Sequence, residues 1–192
     1  MKEIKNTTNI PLLPLRGLLV YPAMVLHIDV GRERSVAALE HTMNNDRIIF
    51  LTTQKELRTE QPKEQDIYTI GTVAFVKQML KLPNGTLRIL VEGIARGKML
   101  AYREEAKFAV ADIEVLADSK QKDAETEALM RATMTYFEKY AKSSNKIAAD
   151  VMETVSAIEE PGKFADTIAS HLPLKIHEKQ EVLETISVKK RL

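Results

Sequence analysis

The spacing of apolar side chains changes partway along the chain. In the first part apolar and polar residues alternate, as where Leu26, Ile28 and Val30 are separated by polar neighbours, which is typical of strands with one buried face. In the later part apolar residues recur at the three- and four-residue spacing of amphipathic helices. We therefore predict an α+β protein with a β-rich domain over residues 1–118 and a helical bundle over residues 119–192.

The first domain is predicted to contain five strands and one helix. The strands cover about residues 26–30, 47–52, 68–82, 86–102 and 108–116, and the helix covers about residues 32–44. Pro83-Asn84-Gly85 separates the two longest strands, and because Asn-Gly tolerates the positive φ angles of a tight turn, we predict an antiparallel hairpin. Gly93 and Gly97 interrupt the later strand and predict bulges or a bend, which favours a small closed barrel over a flat sheet.

The second domain is predicted to contain five helices. The first carries an apolar stripe of Leu129, Thr133, Tyr136, Phe137 and Tyr140. Ser143-Ser144-Asn145 is predicted to cap the second helix, and Pro161 is predicted to begin the third. The fourth helix is predicted over about residues 175–186, and Ser187 is predicted to cap the fifth. The fifth helix has completed barely one turn at Leu192. Because the first turn of a helix costs more free energy than it returns, we expect the chain to be part of a longer protein.

Composition narrows the possible functions. The chain has 28 Lys and Arg against 27 Asp and Glu, and the two predicted domains are each balanced, with 16 basic and 15 acidic residues in the first and 12 of each in the second. Domains that bind nucleic acid through its phosphates usually carry a basic excess, so we expect no nucleic-acid partner.

Cysteine is absent, which excludes disulfides and Cys-ligated metals. With neither a signal peptide nor an apolar stretch of ~18 residues, we expect a cytoplasmic protein without a membrane partner.

No motif for catalysis or cofactor binding is present in the sequence. The segment from Gly93 to Met99 comes nearest to a phosphate-binding loop, but it has three residues instead of four between its glycines and lacks the hydroxyl residue that binds magnesium. The four histidines do not have the spacing of metal ligands, and no serine lies in a nucleophile motif. We therefore predict no catalytic, cofactor-binding or metal-binding residue and no enzymatic activity for this chain. The basic run Lys189-Lys190-Arg191 is predicted to lie on the surface.

Apolar side chains near strand ends and at the hairpin tip are the remaining candidates for function. A small barrel cannot enclose every apolar residue at its ends, and methionine adapts to partners of varied shape. We predict an exposed patch that binds unfolded polypeptide segments, formed by Pro22, Met24, Met79, Leu80, Leu82, Met99 and Tyr102. The alternative, that any one of these side chains belongs to the core, stays open because apolar residues are usually buried.

Three separated segments resemble the N-terminal domain of bacterial Lon proteases, in order and across essentially the whole chain. They are IPLLPLRGLLVYP from Ile10, IGTVAFVKQMLKLPNGTLRILVEGIARGKML from Ile70, and LPLKIHEKQEVLETISVKKRL from Leu172. The resemblance implies a β lobe similar to the pseudobarrel of PUA-like domains, followed by a helical bundle that stops where a connecting helix begins. It also implies that ATP, magnesium and the Ser–Lys protease chemistry belong to later domains of the parent protein, and that no catalytic residue of the family falls within this chain.

The resemblance further implies a function as a non-catalytic domain that recognises unfolded or degron-bearing polypeptides. The domain would also support assembly of a homohexameric ring. The parent protein would act in the stress response and in protein quality control, where it degrades unfolded, damaged and selected regulatory proteins. Two alternatives to this function remain. The first is a PUA-like nucleic-acid-binding module, which the balanced charge argues against. The second is a purely structural domain that braces the hexamer. Binding of client polypeptides by the isolated chain distinguishes recognition from bracing, and the salt dependence of binding tests the nucleic-acid alternative.

Overall fold

A computed structural model describes residues 7–118, 123–144 and 147–192. These residues form six strands and six α-helices, which confirms the predicted α+β class. The chain divides into two compact units, Met1–Leu116 and Ala117–Leu192, here called the β unit and the helical unit. The predicted domain bounds, 1–118 and 119–192, stay a prediction. Within the described ranges, no helix combines the length and the apolar character needed to cross a membrane.

The strands of the β unit form a closed ring. The elements are β1 (Thr7–Leu15), β2 (Val25–Val30), α1 (Glu33–Met43), β3 (Ile48–Thr53), β4 (Ile70–Lys81), β5 (Leu87–Glu104) and β6 (Ala109–Leu116). The sheet order is β2-β5-β4-β3-β1-β6, and β6 also pairs with β5, so five strands close on themselves and β2 lies outside the ring. Closure is possible because β5 is 18 residues long and pairs with β2 through its first part and with β6 through its second. This arrangement confirms the predicted small barrel.

The hairpin between β4 and β5 has the predicted turn. Gly85 has a φ of 83°, and its N–H donates to the carbonyl of Leu82 at 3.0 Å. The two strands pair antiparallel from Lys81 and Leu87 back to Ile70 and Lys98. The Asn-Gly sequence therefore formed the tight turn that its tolerance of positive φ predicts.

Strand β1 was not among the predicted strands, and it contains two prolines, which are rare in a strand with neighbours on both sides. The structure accommodates them by dividing the pairing. Residues Thr7–Pro11 pair with β6, whereas Leu12–Leu15 pair with β3. Each proline therefore has a paired strand on one side only, so its missing N–H need not remove a ladder hydrogen bond. Apolar residues occupy consecutive positions because β1 is buried on both faces through its second half.

Two glycines of β5 bend and pack the barrel in different ways. Gly93 adjoins a bulge, since Ile94 is an extra residue between the pairs Ala74–Gly93 and Val73–Ala95. A Cβ at Gly93 would lie 2.3 Å from the carbonyl oxygen of Tyr21, so only glycine allows this backbone approach. At Gly97 the predicted alternative of a bulge is wrong, because the register continues through it, whereas a bend there stays a prediction.

Gly97 instead makes room for an aromatic ring at the centre of the barrel. It pairs with Gly71 of β4, and the fully buried ring of Phe50 packs against both. A Cβ at Gly71 would lie 2.8 Å from Phe50 Cζ, and one at Gly97 would lie 3.1 Å from Phe50 Cε2. The two facing glycines therefore leave the space that Phe50 fills.

Two clusters of buried side chains form the core of the β unit. The first includes Leu39 from α1, Ile49 from β3 and Ile89 from β5, and partly buried Met24 and Met79 pack against it. The second surrounds Phe50 and consists largely of residues from β1, β5 and β6; its members are Ile10, Leu12, Phe50, Ile67, Val73, Met99, Ala109, Ala111 and Ile113. The first cluster lies under the hairpin end of β5 and the second under its other end.

The helical unit contains five helices in its described residues, and three of them supply its buried cluster of Phe137, Val155, Phe164 and Ile168. The five helices are α2 (Ala124–Ser144), α3 (Ala149–Ser156), α4 (Pro161–His171), α5 (Ile176–Glu184) and α6 (Val188–Arg191). Pro161 begins α4 as predicted. The predicted cap of α3 was wrong, because Ser143 and Ser144 belong to α2, Ala148 precedes α3, and Asn145 lies outside the described residues. Ser187 does occupy the N-cap position of α6, but its side chain makes no capping hydrogen bond.

One residue of the basic run in α6 contradicts the prediction of a surface location: Lys190 is exposed as predicted, but Arg191 is not. The Arg191 side chain is fully buried, and its guanidinium lies 2.6 Å from Asp118 and 2.8 Å from Asp166. Lys189 is partly exposed, and its ammonium lies 2.8 Å from Asp123 and also contacts Glu125. The charges that looked like a solvated face therefore attach this last turn to the rest of the helical unit.

Candidate functional site

The seven residues of the predicted apolar patch do not form one surface. Met79 of β4 pairs with Ile89 of β5, whereas Met99 of β5 pairs with Ile113 of β6. Positions 89 and 99 are ten residues apart on β5, which corresponds to about 33 Å along a straight strand. The patch is therefore divided between the two ends of β5.

Met99 does not belong to an exposed patch. It is only 7% exposed and is a member of the second core cluster, so its proposed surface role is withdrawn. Tyr102 is partly buried and packs against the same cluster. Burial, reinforced by the negative charge of Glu104, raises the pKa of Tyr102 to about 12. Tyr102 therefore offers only part of its side chain to a partner.

Pro22 and Met24 lie in a tight turn that begins β2. The Met24 N–H donates to the Tyr21 carbonyl at 3.2 Å, and Ala23 between them has a φ of 66°. In return, the Tyr21 N–H donates to the Met24 sulfur at 3.2 Å. Since Met24 also packs against the first core cluster, the turn holds this side chain in place and leaves only part of it at the surface.

Met79 and Leu80 lie at the other end of the barrel, on a three-stranded extension here called the outer sheet. The outer sheet consists of β2, Leu87–Glu92 of β5 and Lys77–Lys81 of β4. Leu82 lies just beyond it, where the hairpin turn begins. Residues paired across antiparallel strands share a face of the sheet, so the pairs Met79–Ile89 and Ile28–Ile89 direct Met79 towards the core. The pairs Leu80–Arg88 and Asp29–Arg88 direct Leu80 outwards, and Leu80 is 60% exposed.

A cleft of about 440 Å³ lies at the end of the outer sheet. Its lining residues are His27, Met43, Arg47, Lys77, Gln78, Met79, Leu80, Arg88 and Leu90. Four of these are large apolar residues and none is acidic. Sequence patterns identified Met79 and Leu80 but missed Met43, Arg47 and Leu90. No signal in the sequence places the end of α1 and the start of β3 beside the hairpin, because strand register alone brings them there.

One edge of β4 is open along this cleft. The pairing of β3 with β4 ends at Ile48 and Phe75, and the Val76 N–H then donates to the Arg47 carbonyl at 2.9 Å. From Gln78 to Lys81, β4 pairs with β5 on one side, and no strand in the described part of the chain pairs with its other side. Lys77 is a bulged residue between the pairs Val76–Val91 and Gln78–Leu90. The regular open edge therefore spans four residues, or about 14 Å.

The charged side chains around the cleft differ in whether they have partners. The Arg88 guanidinium binds both carboxylate oxygens of Asp29 at 2.7 Å, which lowers the pKa of Asp29 and raises that of Arg88. Lys77 lies 2.8 Å from Glu92. Arg47 is exposed, and its side chain makes no ion pair with any acidic group in the described ranges. Arg47 therefore contributes the uncompensated charge of the cleft.

A second, more polar cleft of about 780 Å³ lies between the start of β1 and the end of α1. Its lining includes Asn9, His41, Asn45 and Asp46. Within the described ranges, no group of three or more His, Asp or Glu side chains is arranged to hold a metal ion. The first cleft is the better candidate for binding polypeptide, since it combines apolar side chains with an open strand edge.

Comparison with known proteins assigns the chain to a family. The model of the ATP-dependent protease La (LON) substrate-binding domain matches residues 9–192. The chain is 54% identical over 192 residues to the Lon protease of Brevibacillus choshinensis and 52% identical over 191 residues to Lon protease 1 of Bacillus subtilis. It is covered fully in both comparisons but spans only 25% and 24% of those proteins.

Two solved structures share the fold. The N-terminal domain of a Mycobacterium avium complex Lon protease has a TM-score of 0.76 at 19% identity, covering 95% of this chain and 93% of that one. A Lon N-terminal domain protein from Xanthomonas campestris has a TM-score of 0.68 at 15% identity, covering 96% and 95%. At these identities the likeness concerns the fold.

Proposed function

This chain belongs to the family of LON substrate-binding domains, and on that premise we propose that it binds apolar segments of unfolded or degron-bearing polypeptides without catalysing a reaction itself. The observation that carries the proposal is the outer sheet, where Leu80 is 60% exposed and Val25 is 51% exposed. Met79, Leu82 and Leu90 are partly exposed nearby. Exposed apolar side chains beside an open strand edge suit a client that presents both apolar side chains and unpaired backbone groups.

The expected affinity of one chain is low. An unfolded client loses conformational entropy when a segment becomes ordered on the surface, and this cost offsets part of the apolar gain. Six copies in a ring would compensate, because a client held by one copy is presented to the others at high effective concentration. Assembly into a homohexamer is accordingly part of the proposal, as a property of the parent protein.

Hydrolysis of ATP with magnesium and cleavage of the client are proposed for the remainder of the parent protein. The chain spans about a quarter of the length of the curated relatives it matches, and those relatives are named as proteases. In this division of tasks, the outer sheet holds a client while later domains translocate and cut it. The purified chain is expected to show neither ATPase nor peptidase activity, as coupled ATPase and labelled-casein assays would measure.

The proposal is tested by comparing two equally exposed leucines. Leu80 lies on the outer sheet, and Leu100 lies near the other end of β5; each is 60% exposed. Full burial of a leucine side chain is worth about 1.5–3 kcal/mol, so a client that covers the exposed part of Leu80 gains about 1–2 kcal/mol. Leu80→Ser should therefore weaken binding of a reduced, carboxymethylated model protein about five- to thirtyfold. Leu100→Ser should leave binding unchanged.

Melting of the same variants separates a lost contact from a lost fold. Both substitutions are on the surface and should change the free energy of unfolding by no more than about 0.5 kcal/mol. Equal binding by wild type and Leu80→Ser would contradict a client site on the outer sheet. Absence of any client binding would favour a structural domain that braces the ring, and steeply salt-sensitive binding of RNA would favour a nucleic-acid module.

A further inference from the structure

We infer that the cleft beside β4 binds an extended polypeptide segment as an added strand, and that it prefers a segment whose apolar side chains adjoin an aspartate or glutamate. The inference rests on the proposed function, because it specifies which segments of a client the outer sheet would take. It follows from three features of the cleft, namely an open edge, apolar side chains on both faces of that edge, and an uncompensated arginine at its end.

The open edge supplies backbone hydrogen bonds. Gln78–Lys81 of β4 pair with β5 on one side, and the opposite side faces the cleft without a partner strand in the described ranges. Such an edge presents N–H and C=O groups at the spacing of a neighbouring strand. A client segment of about four residues matches its length of about 14 Å and would add a strand beside it.

Apolar side chains lie on both faces of the edge. Met79 faces the core side, where Met43 at the end of α1 also lines the cleft. Leu80 and Leu90 face the outer side. The side chains of an added strand alternate between these two faces, so an apolar residue of the client finds an apolar neighbour on either one. The unbranched side chains of the two methionines adapt to clients of different shape.

Arg47 determines the charge preference. Its N–H donates to the Thr42 carbonyl at 3.1 Å and its carbonyl accepts from Val76 at 2.9 Å, so its backbone is held at the point where the open edge begins. Lys77 and Arg88 already have carboxylate partners, whereas Arg47 has none among the described residues. A purely apolar segment would remove water from the Arg47 guanidinium without replacing it. A carboxylate on the segment restores a partner for that charge.

The test uses three labelled eight-residue peptides of alternating valine and threonine, identical except for a central Glu, Gln or Lys. Binding to the intact chain is measured by fluorescence anisotropy at low salt. The Glu peptide should bind about two- to fivefold more tightly than the Gln peptide, as one exposed ion pair predicts, and the Lys peptide most weakly. Methylation of the backbone nitrogens on one edge of the Glu peptide should weaken binding about tenfold.

Two variants assign the preference to Arg47. Arg47→Asn removes the charge, and asparagine tolerates the φ of 62° at this position, so the fold should be kept. It should make the Glu and Gln peptides bind equally. Arg58→Asn removes another exposed arginine that lies outside the cleft, and it should leave the preference intact. Melting of each variant confirms that the β unit is folded.

Three results would overturn the inference. They are equal binding of the Glu and Lys peptides by wild type, a preference that persists in Arg47→Asn, and full binding of the methylated peptide. If the carboxymethylated model protein still binds in any of these cases, the proposed function stands and only the strand and charge selectivity fail. If neither peptides nor the model protein bind, the proposed function fails with it.

Discussion

Replacement of Arg191 by methionine should destabilise the helical unit far more than the loss of an exposed ion pair. Arg191 is fully buried, and its partners Asp166 and Asp118 are 1% and 20% exposed. Arg191→Met keeps much of the side-chain volume but removes the guanidinium that both carboxylates contact. Removal of one partner from a buried ion pair typically costs 3–5 kcal/mol, because the remaining charge stays desolvated, and we expect about that loss.

Lys189 provides a control on the same four-residue helix. Its side chain is 39% exposed, and its partners Asp123 and Glu125 are 44% and 70% exposed. Water solvates all three groups when the pair is broken, so Lys189→Met should cost less than about 1 kcal/mol. The two substitutions remove one positive charge each from the same helical turn. A difference of about 2 kcal/mol or more between them therefore measures burial, with net charge held equal.

Urea unfolding followed by far-UV circular dichroism would measure these free energies, with the slope of the transition checked for each variant. The triple variant Arg191→Met, Asp118→Asn, Asp166→Asn removes all three charges and should recover most of the stability lost in Arg191→Met. The reasoning is refuted if Arg191→Met costs less than about 1 kcal/mol. It is also refuted if the triple variant is no more stable than the single one, since uncompensated charge would then not be the cause.

Two further predictions concern the β unit. Gly97→Ala places a Cβ 2.5 Å from Ile113 Cγ2 and should lower the free energy of unfolding, measured with urea, by about 1–3 kcal/mol. Gly31→Ala is the control, because its Cβ meets only Thr86 Oγ1 at 3.7 Å, and it should leave the free energy of unfolding nearly unchanged. Equal effects of the two substitutions would contradict the packing argument. Hydrogen bonds from Arg103, and then from the Asn9 N–H, lower the pKa of Asp112 from 3.8 to about 2. A pKa lowered by folding stabilises the folded state above about pH 4 and loses that effect as the pH falls towards 2. Asp112→Asn should flatten this part of the stability–pH profile, and an unchanged profile would argue against the pair.

Local sequence determined most of the individual elements. The alternation at Leu26, Ile28 and Val30 predicted β2, and Asn84-Gly85 predicted the hairpin, because these signals act within a few residues and depend on backbone conformation. Pro161 predicted the start of α4 for the same reason. Strand β1 was missed, and it accommodates its prolines through a division of pairing between two distant strands, which local sequence does not show.

Tertiary structure decided which apolar and charged side chains are available at the surface. Met99 and Leu100 are neighbours of similar hydrophobicity, yet Met99 is 7% exposed and Leu100 is 60% exposed. Leu100 is an extra residue between the pairs Met99–Ile113 and Ala101–Asp112, so a bulge interrupts the alternation there. A sequence shows the period of a strand but not where a bulge shifts its phase.

The candidate site and the buried ion pair depend on contacts across long sequence separations. Arg47 lines the cleft because the start of β3 lies beside Val76 of β4, and Arg191 is buried because α6 packs where Asp118 and Asp166 meet. Nothing in the residues adjoining either arginine distinguishes it from an ordinary surface cation. The local pattern specifies which segments become strands and helices, since backbone conformation depends on near neighbours. Desolvation and charge pairing depend on which segments pack together, and only the folded chain decides that.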